Sequence, residues 1–329
     1  MKRYIILFMV LILLFSFSVL IYASDLKFAT TGPPGDANVE AMQIFADKVK
    51  ELSDGTININ IFHSGSLYNN VETEFDALRS GNLEFAYTSP QVLTGSVDYF
   101  SMFTAGYFFK NYEHMKETFN GQIAKEILYK DIEDVLGITV LGVCYMGARE
   151  VNTTVGPIKT PDDLKGLLLR MPNTPEWIFL GKALGANPTP LAFNEVYTAL
   201  SAGTIDGQDN PLPTTYHSKF YEVAKYISLT NHIIDSGWFV VNSDVLNSLS
   251  KSQKKAVFDA AEYLIKYIDD ESMKREKDLI QTLKSKGVTI TIPDTDAFKE
   301  KVQSAYLAND TMTTKWDMDL YEKIQAIAK

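Results

Sequence analysis

Strand-like and helix-like stretches alternate along this chain, each ended by glycine or proline, and that alternation limits the fold more than any single motif. Residues 25–30 read as a first strand, broken by Gly32-Pro-Pro-Gly35. Val39, Met42, Phe45, Ala46 and Val49 then fall at helical spacing within residues 37–52. After the Asp54-Gly55 turn, Ile57, Ile59 and Ile61 alternate with Asn58 and Asn60, the mark of a half-buried strand. Residues 71–80 form a helix stopped at Gly81, and 83–88 the next strand. The middle repeats this grammar. Residues 138–144 are an apolar strand, and Thr160-Pro161-Asp162-Asp163 starts a helix with a cap, an early proline and acids at the positive dipole end. Leu167-Leu-Leu-Arg170-Met171 is a strand stopped by Pro172. Helices follow from Thr174 to about Gly185 and over 194–202, then a short strand at 204–206. One long helix, capped by Ser252, spans 252–285; 288–292 is a strand and 296–329 mostly helix. The order implies an α/β protein with a largely parallel sheet, and the 329 residues suffice for two lobes. No flexible linker or repeat divides them, so the chain is expected to cross between lobes more than once.

The amino terminus stands apart. A cationic Met1-Lys2-Arg3 precedes an almost unbroken apolar run from Tyr4 to Tyr22, then the small Ala23 and Ser24. This is the layout of a secretory signal peptide over residues 1–23; the alternative is a retained anchor. No cysteine follows the run, which argues against a lipoprotein, and no later segment has eighteen consecutive apolar residues. The formal charge is −10, and removal of Lys2 and Arg3 makes it two units more acidic. Such a surface is unsuited to general nucleic-acid binding, and an anionic ligand would need a local basic pocket. The single Cys144 sits in an apolar strand and reads as a small core residue. An exported chain without disulfides, rich in Lys and Asn, suits a bacterial envelope.

Catalytic signatures are missing. The sequence contains no G-x-S-x-G, H-E-x-x-H, C-x-x-C, Walker motif or G-x-G-x-x-G. The S-x-x-K matches at Ser248 and Ser252 lack companion motifs, and His63, His114, His217 and His232 lack metal-ligand spacing. Neither a cofactor nor a metal is expected. Arg170 stands out instead: an arginine ending a buried strand is costly unless paired. It either meets an internal carboxylate or clamps a ligand carboxylate with its planar fork. Arg149, just after a strand, is either a surface arginine or a second ligand contact, and Asn210 either a turn residue or a polar contact.

Residues 145–242 resemble the extracytoplasmic solute-binding proteins of tripartite ATP-independent periplasmic (TRAP) transporters. The likeness rests on Gly147-Ala-Arg149, Thr160-Pro-Asp-Asp-Leu-Lys-Gly-Leu-Leu-Leu-Arg170-Met-Pro, Leu184-Gly-Ala-Asn-Pro-Thr-Pro-Leu-Ala-Phe193-Asn-Glu-Val-Tyr-Thr-Ala-Leu200 and Ile205-Asp-Gly-Gln-Asp-Asn-Pro211. Weaker likeness covers nearly the whole mature chain. The resemblance implies a two-lobed periplasmic-binding-protein-like fold with a ligand cleft, crossing hinge strands and a long bracing helix. Lobe I is expected over 24–146 with 236–275, and lobe II over 147–235 with 276–329. The resemblance also implies that Arg170 makes the main salt bridge to a ligand carboxylate, that Arg149 and Asn210 add polar contacts, and that Phe193 packs on the ligand's apolar face. The closest branch is the sialic-acid-binding one, from which this chain departs. Ser89 stands where that branch has an acidic residue after the third strand, and Asn69 and Asn70 fall near a second acidic position. Trp177 is a candidate to stack on a sugar face and Glu72 to reach ligand hydroxyls.

The expected function is therefore non-catalytic: a monomeric periplasmic protein that captures a small organic acid and passes it to membrane permease subunits. A sugar acid such as a uronate or aldonate is the first reading, with a four-carbon dicarboxylate or sialic acid as alternatives. A secreted enzyme on the same scaffold is the rival class. A sensor ectodomain would need an anchor or signalling domain, which is not expected here.

Overall fold

Two long antiparallel strands organise the molecule: β4 (Ile138–Thr153) and β8 (Tyr226–Asn242). In the computed structural model, which describes residues 24–328 apart from 33, 35 and 36, they form the middle of one nine-stranded sheet. The leader expected over residues 1–23 lies outside the described residues. On one side lie β1 (Ser24–Ala29), β2 (Ile57–Phe62) and β3 (Phe85–Thr88), in the order β2-β1-β3-β8. On the other lie β5 (Leu168–Met171), β6 (Asn187–Pro190) and β7 (Gly207–Pro211), in the order β4-β7-β5-β6. Each side group pairs in parallel internally and joins the central pair antiparallel. The short β9 (Thr289–Thr291) pairs with β8.

Among the described residues, nine helices of seven or more residues cover the sheet: α1 (Ala37–Leu52), α2 (Val71–Arg79), α3 (Tyr112–Asn120), α4 (Tyr129–Leu136), α5 (Pro175–Leu184), α6 (Val196–Ala202), α7 (Lys251–Ser285), α8 (Thr295–Leu307) and α9 (Met318–Ile327). The result is two α/β lobes joined by β4 and β8. Lobe I is packed around Phe28, Phe45, Phe85 and Phe239, whose rings meet mostly edge to face. A second cluster runs from α2 and α3 through Trp238 to α5 and α8, so the lobes share buried surface.

The central strands cross by bending. Their register shifts between Val140 and Gly142, Tyr145 and Gly147, and Arg149 and Val151, and each bulge adds local twist. Gly147 sits at φ +114, and a Cβ there would lie 3.0 Å from Pro211 Cβ, so both backbone and space demand glycine. The helix α7, at 35 residues about 52 Å long, braces this bend. Its first half buries Val257, Ala260, Ala261 and Leu264 in the lobe I core. Farther along, Asp269 accepts hydrogen bonds from Tyr145 N (2.9 Å) and Tyr112 Oη (2.7 Å), and Glu276 accepts them from Ala148 N and Tyr145 Oη.

Several sequence-based expectations need correction. The long helix is capped by Ser250, whose hydroxyl and Gln253 form a capping box, not by Ser252. The short strand expected at 204–206 lies at 207–211, where all five residues are buried. Residues 161–164 make a single 3-10 turn, because Gly166 stops the helix that Thr160 starts. Cys144 is buried as expected. No helix among the described residues is long and apolar enough to cross a membrane.

Candidate functional site

The site grows from the bend. β4 carries Arg149 and pairs with both β7 and β8, placing Asp209 and Asp235 on either side of its guanidinium. Arg149 Nε donates to Asp209 Oδ2 at 2.7 Å, Nη1 to Asp235 Oδ2 at 2.8 Å, and Nη2 to the Asp209 carbonyl at 2.7 Å. Burial works against this cation, but the two carboxylates overcome the penalty and hold its pKa above the ordinary range. Burial likewise opposes the charge of Asp209, yet Arg149 and the His232 ring keep its carboxyl well below the usual range. His232 Nε2 lies 3.2 Å from Asp209 Oδ2, and its Nδ1 meets Thr230 Oγ1 at 2.8 Å. The Arg149 guanidinium also stacks 4.4 Å above the Trp177 ring, a cation–π contact set by α5.

Arg170 has different surroundings. It is 4% exposed on β5, in register with Gln208 of β7 and Thr189 of β6. Its Nε donates to the Leu191 carbonyl at 2.9 Å. Among the described residues no Asp or Glu side chain pairs with it, and its two Nη groups make no hydrogen bond. Burial, assisted by the charge of Arg149 and opposed by Asp209, pulls its pKa down to about 10, so it stays cationic at neutral pH. Asn210 is a buried strand residue rather than a turn residue, and its amide donates to Gln208 Oε1. Gln208 in turn donates to Thr215 and Asn152.

A narrow crevice, partly open to solvent, lies between the lobes. Ser89, Phe103, Thr104 and Ser236 bound it, facing Trp177 and Asp235. The structure thus brings Ser89 and Trp177 to one cleft, with Arg149 stacked on Trp177 and bonded to Asp235. Arg170, Asn210 and Phe193 are not among its walls. Arg170 couples electrostatically to Arg149 and Asp209, while Phe193 is half-buried edge-on to Phe220 at 5.7 Å. Glu72 is exposed on the first turn of α2 and makes no hydrogen bond among the described residues.

Sequence reading missed the carboxylates that neutralise Arg149, because their pairing depends on strand register. It also missed Glu74, the buried acid two residues beyond Glu72. The available signal was its place beside Phe75 and one turn before Leu78, on the buried stripe of α2. Sealed polar atoms without a partner among the described residues include Glu74 Oε2, Thr88 Oγ1, Thr174 Oγ1 and Trp177 Nε1. Among the described residues no group of three or more His, Cys, Asp or Glu side chains could hold a metal.

Known proteins give this arrangement its context. A sialic acid-binding periplasmic protein of Vibrio cholerae is 28% identical over 289 residues, 88% of this chain and 89% of that protein. A 2,3-diketo-L-gulonate-binding periplasmic protein of Escherichia coli is 30% identical, covering 84% of each chain. A TRAP periplasmic solute-binding protein of Roseobacter denitrificans, solved with bound 3-deoxy-D-manno-oct-2-ulosonic acid, superposes with a TM-score of 0.86 at 37% identity, over 92% of this chain and 99% of that one. Residues 28–310 match the profile of bacterial extracellular solute-binding protein family 7. With that match over most of its length and the two-lobed fold of these relatives, the chain belongs to family 7, the non-catalytic solute-binding proteins of TRAP transporters.

Proposed function

We propose that this protein binds a sugar acid, such as a uronate, an aldonate or a longer ulosonic acid, and that Arg170 clamps its carboxylate. One observation carries the reading: of two buried arginines, Arg149 is consumed by Asp209 and Asp235, whereas the Nη groups of Arg170 have no partner among the described residues. A buried cation in that state is completed by an anion, and the planar fork matches a carboxylate. Each charge-assisted hydrogen bond adds roughly 1.5–3 kcal/mol. Micromolar capture needs about 8 kcal/mol, so hydroxyl contacts and lobe closure supply the remainder. Trp177 and Ser89 in the cleft and the sugar acids bound by the relatives support a hydroxylated ligand. Asn210 and Phe193 complete the pocket on the Arg170 side, and Arg149 shapes it through Trp177.

The lobes meet at the bend. We assign residues 24–146 with 236–275 to lobe I and 147–235 with 276–329 to lobe II. The register shift at Tyr145 and Gly147, opposite Ser236 and Asp235, and the attachment of Glu276 at the same level support those limits. The last helix departs from them: α9 packs on α3, with His114 Nε2 2.9 Å from the Ile324 carbonyl. The closed form then presents both lobes to membrane permease subunits, and the leader directs export to the periplasm.

A thermal-shift screen tests the ligand. D-Galactonate, D-glucuronate and 3-deoxy-D-manno-oct-2-ulosonate are expected to raise the melting point of the wild type by mass action, and to leave Arg170→Ala unmoved. A shift with succinate alone would replace the sugar-acid reading with the dicarboxylate one.

A further inference from the structure

Near the bend, β8 carries four residues, Leu229 to His232, opposite the single Glu150 of β4, because Arg149 pairs with Ile233 and Val151 with Ser228. This bulge is gripped from two sides. From β4, the buried Glu150 carboxyl group accepts the Asn231 N–H at 2.9 Å. From lobe I, Tyr107 donates its N–H to the His232 carbonyl at 2.7 Å and its hydroxyl to the Thr230 carbonyl at 2.9 Å. A cluster of rings, Phe103, Phe108, Phe109 and Phe119, fixes this corner of lobe I. The preceding Gly106 lets the corner fit closely: a Cβ there would lie 2.7 Å from Leu180 Cδ1 of α5 and 2.8 Å from Val302 Cγ1 of α8. His232 therefore takes lobe I on its carbonyl and Asp209 on its ring. Both sides of the contact hold unfavourable backbone. Tyr107 sits at φ +59 and Asn231 at φ +47, in the left-handed region that side chains other than glycine seldom adopt. Such geometry persists where its surroundings over-determine it, and it gathers at switch regions. Here the Tyr107 bonds fall on the carbonyls to either side of Asn231.

We propose that the Gly106–Tyr107 corner is a latch between the lobes, closed on the β8 bulge in this structure and released when the cleft opens. The proposal rests on the lobe limits and the closure step of the reading above, not on which acid binds. The two carbonyls that Tyr107 holds belong to residues three and five beyond Asp235, which pairs with Gly147 at the bend. That offset is at most about 10 and 17 Å along the strand. A contact set off from the pivot parts as the lobes rotate, whereas the ladder at the pivot only bends. Little opposes the parting. The freed carbonyls flank the exposed Asn231 and take up water, while Tyr107 and Asn231 can leave the left-handed region. Glu150 and Asn231 lie in the same lobe, so their bond keeps the bulge in shape while the latch moves. Two hydrogen bonds that favour closure are thus set against backbone strain that opposes it, and the ligand decides the balance.

Amide hydrogen exchange of the ligand-free wild type tests the latch without a mutation. The Tyr107 amide is expected to exchange at least about 100-fold faster than that of Val240, which β3 and β4 enclose, through an opening that leaves both lobes folded. Equally slow exchange of the two amides would make the corner a fixed rivet and overturn the proposal. Saturation with D-galactonate should then slow the Tyr107 amide at least about tenfold, as closure is stabilised. Slowing by succinate instead supports the latch while replacing the sugar-acid reading. A probe that raises the melting point and leaves Tyr107 exchange unslowed contradicts the latch. Tyr107→Phe removes a single hydroxyl. Stopped-flow fluorescence should show the bound acid leaving about three- to tenfold faster, with its association rate unchanged, because the latch forms after entry. An unchanged dissociation rate, or a loss confined to association, would overturn the proposal.

Discussion

Arg149 and Arg170 are both buried, on strands two apart in one sheet, yet they live in opposite electrostatic worlds. Arg149 is surrounded by two carboxylates, a carbonyl and an indole face. Arg170 has one carbonyl, and beyond it only the distant attraction of Asp209 and repulsion of Arg149. The difference separates a cation that holds the bend together from one held ready for an anion. Residue type and burial do not distinguish them; only the partners do.

That contrast can be broken by mutation. Arg149→Ala would strand Asp209 and Asp235, so it should cost roughly 3–5 kcal/mol of stability, readable by denaturant unfolding. A stability loss as large in Arg170→Ala would erase the distinction. Arg170→Ala should instead lower sugar-acid affinity by a factor of ~100 or more, the equivalent of about two charge-assisted hydrogen bonds. Its apo melting point should stay level or rise, because an unpaired buried charge is gone. Arg170→Lys should also bind poorly, since a point charge cannot reproduce the fork.

Glu74 extends the comparison to an unpaired acid. Its folded pKa of about 8 lies above its ordinary 4.5. The folded state thus holds a proton that the unfolded chain releases, and the wild type loses stability as pH rises through that window, by at most about 1.4 kcal/mol per pH unit. Glu74→Gln should show no such slope, so its melting-point advantage should grow from pH 5 to 8; a constant difference would mean the carboxyl is not desolvated. The smallest effect is expected from Trp177→Leu, which removes the stacking on Arg149, worth about 1–2 kcal/mol where desolvated, and leaves both of its carboxylate bonds in place.

The amino-terminal grammar was plainly legible: the helix at Ala37–Leu52 and the strand from Ile57 fall where their periodicity puts them. Arg170 was legible for a simple reason, a cation closing a run of leucines. The strand Tyr226–Asn242 was not, because Thr230, His232, Asp235 and Ser236 interrupt its apolar pattern. Those polar residues are buried because the strand runs through the middle of the sheet, and their side-chain partners are Asp209 of β7, Arg149 of β4 and neighbours on the strand itself. Residues 207–211 read as a loop because Gly, Asn and Pro dominate them, yet β4 and β5 enclose them on both sides. Glu74 was passed over because an acid in a first helical turn is ordinarily solvated.

The most direct measurement is a crystal structure of the complex with whichever sugar acid raises the melting point. The ligand carboxylate should sit on the two Nη groups of Arg170 at about 2.7–2.9 Å, with the Arg149 bonds to Asp209 and Asp235 unbroken. A carboxylate bound at Arg149 in place of Asp235, with Arg170 still facing only the Leu191 carbonyl, would contradict the account.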